Sequence, residues 1–301
     1  MVEPFTRADV VDGFLADPRP LRRAFDRAVD DRADPLDPVR FRWEYWNVPG
    51  QFSQHRAPAR AVLGAAADAF EARLFAWARR RLGLARLASP AWLSFLVDGQ
   101  YQGIHRDGPN GDVAFSFGLS WPRTPRFRGG ETLLARMDLL DYFGTEADRP
   151  ERASDPLFDE IPSRFNRLVA FDARLPHMVG RVEGPHQARD GRVAIQGWLV
   201  SGGVLCEERD PSELAAVLAP RLRALRLDRR AYGLVTFALD VGRDGRVRSV
   251  TPLLDLLVPD APGRAEVARG LAGLRFGPGA RGRVVVPVRC ASGRARLDGG
   301  P

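Results

Sequence analysis

The chain has 301 residues, 45% hydrophobic and 28% charged, enough apolar content for one large core or two smaller ones. Its 30 glycines and 24 prolines are dispersed, which excludes collagen-like and low-complexity classes, and the most apolar stretches, such as residues 253–258, are too short to span a membrane. The net charge of +7 rests on arginine alone, which supplies all 45 basic residues, and acids are interspersed among them as in Arg22-Arg23-Ala24-Phe25-Asp26-Arg27, so the charge is no signature of nucleic-acid binding.

Residues 1–12 hold Glu3, Asp9 and Asp12 against Arg7 and no apolar run, a pattern that does not predict a secretory signal. Thr6 is placed to cap a helix reaching about Asp17, with Val10, Val11 and Phe14 on one face, ended by Pro18 and Pro20. A second helix is predicted from Leu21 to about Val29. The aromatic alternation of residues 41–46 predicts a strand. Pro58 opens the strongest helical pattern, residues 59–82, closed by Gly83. From Ala91 short β-like runs alternate with turns, at 92–97, 113–119, 132–134, 168–171 and 193–200, which suggests a sandwich or jelly roll. Residues 138–164 form a long polar insertion, a candidate lid. After Ser201-Gly202-Gly203 a second unit is expected. It holds a helix capped by Ser212 and running to about Leu227 through Pro220, strands at 235–241 and 247–250, a helix over 262–274 and a last strand at 284–288. Cys206 and Cys290 stand 84 positions apart in no CxxC pattern, so neither a disulfide framework nor a thiolate metal site is expected, and a reducing cytoplasm is the expected location.

Chemistry concentrates in His105-Arg106-Asp107 with His177 and Arg192 downstream. Residues two apart on an extended segment point to one side, so His105 and Asp107 can face one ion. His177 follows the apolar run 168–171 and is placed to close the site from a neighbouring strand. Two imidazoles and one carboxylate on one face leave the opposite positions of the ion open, the pattern of non-haem Fe(II) oxygenases. His186, in a polar turn, is the rival distal ligand and reads as solvated; His55 reads as a surface residue. On the strand from 192 to 198, Arg192, Ala194, Gln196 and Trp198 share a face. An arginine turned inward there needs an anion, and the far carboxylate of a dicarboxylic acid would supply one.

These residues, taken in order with Gly129-Gly130-Glu131-Thr132 and Trp198, resemble the Fe(II)/2-oxoglutarate dioxygenase superfamily, most nearly its prolyl 4-hydroxylase-like branch, over about residues 92–200. The resemblance implies a mainly β fold with flanking helices: a double-stranded β-helix (jelly roll) oxygenase domain over 1–205, followed by a small α+β domain over 206–301. It implies Fe(II) on His105, Asp107 and His177, the 5-carboxylate of 2-oxoglutarate on Arg192, and O2 as the oxidant. Arg181 and Arg189 are weaker candidates for the carboxylate, because the gap from His177 to Arg192 is longer than in that branch. Tyr101 and Gln196 are assigned to cosubstrate binding, Tyr101 being equally readable as core. The Gly129–Thr132 turn reads as structural. The implied reaction decarboxylates 2-oxoglutarate to succinate and CO2 and hydroxylates an unactivated C–H of a peptide, protein or small molecule. Asp107 favours hydroxylation over halogenation, since halogenase relatives lack that carboxylate. Phe115, Phe117 and Leu119 read as core, and Trp43, Tyr45 and Trp46 as packing between the long helix and the barrel.

The C-terminal stretch resembles, more loosely, TonB C-terminal-type domains in residues 235–247, 274–276 and 284–288. That implies a small α+β fold and an interaction role, including a possible homo-oligomer contact. The alternative function is a non-catalytic jelly-roll binding or sensory protein with this module as its interaction surface. A metal-using isomerase of the cupin type is a third reading.

Overall fold

The computed structural model describes residues 3–30, 43–121, 127–136, 157–258, 262–277 and 281–299. The chain forms two compact units, one of residues 9–71 and 88–198, the other of residues 1–8, 72–87 and 199–301. The elements begin with β1 (Ala8–Asp12), α1 (Arg19–Ala28), β2 (Glu44–Val48), β3 (Phe52–Pro58), α2 (Ala59–Leu63) and α3 (Ala66–Arg81). They continue with β4 (Arg86–Leu87), β5 (Trp92–Leu96), β6 (Tyr101–His105), β7 (Val113–Gly118), β8 (Thr132–Ala135), β9 (Phe158–Ile161), β10 (Arg167–Asp172), β11 (His177–Val179) and β12 (Arg192–Val200).

In the first unit the strands fall into two antiparallel runs. One is β10-β7-β12-β5 with β1 on its outer edge; the other is β6-β11-β8-β9. Strand β3 pairs with β5 through His55 to Pro58 and with β6 through Phe52 and Ser53, so it joins the two runs into one curled sheet. This is the jelly-roll arrangement expected from the alternating short strands. Strand β10 is buried along its whole length and β7 nearly so, as central strands covered on both faces must be. On the outward face of β7, Phe115 and Phe117 meet Phe70 of α3 at ring separations of 6.1 and 4.9 Å, and Phe14 lies 5.9 Å from Phe117. The core role read for Phe115 and Phe117 therefore holds.

Four local expectations are corrected. The segment after Thr6 is strand β1, not a helix: Val10 and Val11 are β-branched, and the free edge of β10 offers a ladder that a short helix cannot match. The pattern over 59–82 is two helices, because Gly64 turns left-handed at φ 55° and breaks it after Leu63. Residues 138–156 of the polar insertion lie outside the described residues, but its later part contains strand β9, paired with β8. Trp43 packs not on the long helix but against Phe25 of α1 and Phe95 of β5, at 6.0 and 4.9 Å.

The second unit contains β13 (Leu205–Cys206), α4 (Pro211–Ala224), β14 (Gly233–Val241), β15 (Val247–Asp255), α5 (Pro262–Ala272), β16 (Gly282–Ala291) and β17 (Arg294–Leu297). Its sheet runs β13-β16-β14-β15, with β17 paired to β16. Leu214, Leu218 and Leu222 of α4 recur at intervals of four and bury one helix face against Val235, Phe237 and Leu239 of β14 and Val284, Val286 and Val288 of β16. Asp210 caps α4, accepting from the Ser212 backbone N–H at 2.9 Å, where the sequence pointed to Ser212 itself. Cys290 is buried in this core, which pushes its thiol up to about 11, and neither cysteine is in a disulfide. Among the described residues no helix is long and apolar enough to cross a membrane.

Phe117 is wholly buried between α3, the segment after β1 and β7. Phe117→Ala is expected to cost about 3–5 kcal/mol of stability, read as a lowered denaturant midpoint at an unchanged slope. A loss within about 0.5 kcal/mol, the range of an exposed position, would mean that this aromatic contact does not anchor the fold.

Candidate active site

The site is built on the pairing of β6 with β11. His177 stands directly opposite His105 in the antiparallel register, and the two imidazole centroids lie 4.2 Å apart. Asp107, two residues past His105, is fixed by its backbone N–H, which donates to the Ala173 carbonyl at 2.7 Å. Its carboxylate then reaches both rings: Oδ2 is 3.4 Å from His177 Nε2 and Oδ1 is 3.8 Å from His105 Nε2. One ligand atom from each of the three residues falls within 4.8 Å of the others.

The backbone sets the state of each ring. The Gly103 carbonyl lies 2.7 Å from His105 Nδ1, and the Leu175 carbonyl lies 2.9 Å from His177 Nδ1. A carbonyl only accepts, so each Nδ1 carries a hydrogen and each Nε2 is the nitrogen turned toward Asp107. That is how metal-binding histidines are held: one nitrogen anchored, the other free to ligate. Burial, then the neighbouring His177, pushes His105 below the usual histidine range, against the opposing pull of the Gly103 carbonyl and Asp107. The same burial works against ionising Asp107, but polar contacts with the His177 ring and the Trp198 indole outweigh it and hold the carboxyl below its ordinary value. Neutral imidazoles and an ionised carboxylate are the forms that bind a divalent cation.

Asp107 and His177 open into a cavity that also takes in Gln102, Thr132, Arg192 and Gln196. Arg192 opens β12 opposite Leu96 of β5 and is 2% exposed. Its Nε donates to the Gly130 carbonyl at 2.6 Å, while its buried Nη1 has no partner among the described residues. Burial lowers the guanidinium to about 10, opposed by the charge of Glu131, so it remains cationic at neutral pH. Gly130 holds φ at 74°, and a Cβ there would stand 2.8 Å from Arg192 Cδ, so the glycine turn is what lets the backbone wrap the arginine stem. The Gly129–Thr132 segment is thus structural as expected, with Thr132 additionally facing the cavity.

Strict alternation along β6 would put Tyr101 on the His105 face. The ladder instead slips, with His177 opposite His105 but Val179 opposite Gln102. This irregularity brings Gln102 to the cavity, with its amide nitrogen 3.3 Å from His105 Nε2, while Tyr101 is not among the lining residues. No sequence signal marks that slip. Gln196 and Trp198 do line the cavity, as their shared face with Arg192 required. Of the alternative residues, His186 and Arg181 are exposed, and Arg189 lies 3.6 Å from Asp30 in an exposed ion pair.

No protein-family model matches the sequence, and comparison with curated protein sequences finds no match. Among solved structures the chain is similar to a prolyl hydroxylase from Trichoplax adhaerens in complex with a hypoxia-inducible-factor peptide fragment. That match has 16% identity and a TM-score of 0.44, covering 64% of this chain and 83% of the other. A prolyl-4-hydroxylase from Pseudomonas putida matches with 14% identity and a TM-score of 0.43, over 65% and 93% of the two chains. A viral collagen prolyl hydroxylase from Paramecium bursaria Chlorella virus-1, solved with 2-oxoglutarate, matches with 12% identity and a TM-score of 0.42, over 64% and 96%.

His55, expected at the surface, is half-buried: its ring stacks on Phe95 at 4.5 Å, and Nδ1 contacts the Gln100 amide at 3.2 Å. Burial lowers its pKa from the ordinary 6.5, the Gln100 contact opposing. A lowered histidine protonates in the unfolded chain before it does in the folded one, so this residue removes stability as pH falls through the ordinary histidine range. His55→Phe is therefore expected to lose less melting temperature than the wild type between about pH 7 and 5. An equal or steeper acid loss in the variant would contradict this.

Proposed function

We propose that this chain is an Fe(II)- and 2-oxoglutarate-dependent dioxygenase that hydroxylates an unactivated C–H of an amino-acid side chain in a peptide or protein, or of a small molecule. The supporting observation is a single cavity lined by Asp107 and His177, two of the three clustered ligand residues, and by Arg192, a buried guanidinium whose Nη1 has no partner among the described residues. His105, Asp107 and His177 would hold the iron, since two imidazole nitrogens and one carboxylate suit Fe(II) and leave the remaining positions open. Once bound, the iron would supply the activation of O2 that no side chain here can perform.

The chain's own residues bind and orient. The Gly103 and Leu175 carbonyls fix the rings, and the Asn110 side-chain amide donates to the Asp107 carboxylate at 3.3 Å. Arg192 would receive the distal carboxylate of 2-oxoglutarate. A planar guanidinium binds a carboxylate through paired hydrogen bonds, and burial keeps competing water away. Thr132 and Gln196 line the same cavity and would accept or donate around that dicarboxylate.

The test follows succinate release from 2-oxoglutarate by protein loaded anaerobically with Fe(II), the reaction being started with air. His105→Ala and Asp107→Ala are expected to abolish the signal and to remove the d–d absorption of bound Co(II). Arg192→Met is expected to raise KM for 2-oxoglutarate about a hundredfold, equivalent to about 3 kcal/mol, with a smaller effect on kcat. No metal-dependent 2-oxoglutarate binding would favour the non-catalytic binding reading. Metal binding with no preference for 2-oxoglutarate would favour an isomerase.

A further inference from the structure

The second unit carries a concentration of positive charge that the proposed reaction does not use. At the end of the sheet, β17 pairs with β16 so that Arg296 lies directly opposite Arg289, and Arg294 lies opposite Ala291. Arg294 and Arg296, two apart on one strand, share a face with Arg289. Arg223, in the last turn of α4, reaches the same place. These four side chains, with Ala291 and Ala295, line an open groove of about 400 Å3. Ala291, opposite Arg294 on the same face, leaves the space, since its side chain does not extend beyond Cβ, whereas Ala295 points into the core beside Cys290 and offers only its backbone to the groove.

The charges in this groove are not balanced. Arg289 is met by Asp298, whose two carboxylate oxygens accept from Nε and Nη2 at 2.9 Å each. Arg223, Arg294 and Arg296 form no side-chain ion pair among the described residues, although many other arginines of this chain do. Arg22, Arg56, Arg60, Arg167, Arg230 and Arg264 each hold an acid within 2.9 Å. With Arg289 neutralised by Asp298, the excess charge rests on Arg223, Arg294 and Arg296, and Arg294 and Arg296 repel each other along one face of β17. An oxyanion between the guanidinia would remove that repulsion and satisfy several planar donor forks at once. The groove's volume lies in the range of small-ligand sites, large enough for a chain of phosphoryl groups and too large for a single chloride.

We propose that this groove binds a compact polyanion bearing consecutive phosphoryl groups, such as the di- or triphosphate moiety of a small molecule, with Arg294 and Arg296 as the principal contacts and Arg223 and Arg289 closing the two sides. The proposal does not depend on the oxygenase reading.

The experiment titrates sodium tripolyphosphate into the full chain by calorimetry and follows melting temperature in parallel. The wild type is expected to bind one equivalent, more weakly as salt is raised, and to melt higher with the ligand. The double variant Arg294→Gln/Arg296→Gln is expected to bind at least about tenfold more weakly, while melting no lower than the wild type without ligand, because both positions are exposed and a repulsion between like charges on one strand has been removed. Arg243→Gln, on the exposed turn between β14 and β15, is expected to leave binding unchanged. Absence of saturable binding, or an equal loss in Arg243→Gln, would overturn the proposal, since the effect would then be one of overall charge. Citrate binding as tightly as tripolyphosphate would overturn the phosphoryl assignment.

Discussion

The pairing of β11 with β6 is the constraint on which the site depends. Placing His177 opposite His105 brings two imidazoles from distant parts of the chain to 4.2 Å, and a slip of one residue would turn His177 away to the other face of the sheet. The register is held from both sides, because β11 also pairs with β8 through Leu134, Leu133 and Thr132. Three strands in fixed register leave the rings little freedom, and the carbonyls of Gly103 and Leu175 remove what remains. Preorganisation of this kind is what a metal site needs, since ligands that must be ordered on binding weaken the affinity.

The His105/Asp107 half of the cluster is legible in the sequence because it depends on short-range geometry. His105 and Asp107 are two apart and share a side locally, and His177 follows an apolar run that reads as a buried strand, but that it stands opposite His105 is decided by the pairing of β11 with β6. The same reasoning places Arg192, Gln196 and Trp198 on one face, since β12 is regular from Arg192 to Gln196 in its pairing with β5. It fails on β6, where the irregular register exchanges Tyr101 for Gln102. A β-bulge depends on how two strands meet and leaves no mark in the spacing of either one. Strand β1 is hidden for a related reason. Its residues carry a plausible helix pattern, and only the free edge of β10 decides otherwise. Asp210 outranks Ser212 as the helix cap because Pro211 occupies the first helical position, which puts the cap one residue before it.

Arginine is the only cation-bearing side chain of this protein apart from histidine, so the meaning of each arginine has to come from its surroundings rather than its type. Arg22 and Arg192 make the comparison. Both are buried, at 0% and 2% exposure, and burial lowers the pKa of both. Arg22 is saturated: it donates to the Leu119 carbonyl at 2.9 Å, to Asp26 at 3.0 Å and to the Arg189 carbonyl, and it lies over the rings of Phe25 and Trp121. Such a residue ties α1 to the strands and has nothing left to offer a ligand. Among the described residues Arg192 Nε has the Gly130 carbonyl as its partner and the buried Nη1 has none. A buried donor left unsatisfied costs about 1–3 kcal/mol, more when charged. That cost, borne beside a cluster of ligand atoms while another arginine is fully satisfied, is the physical ground for the proposal that Arg192 receives an anion, and the neighbouring ligand atoms are why a chelating dicarboxylate is proposed in place of a simple ion.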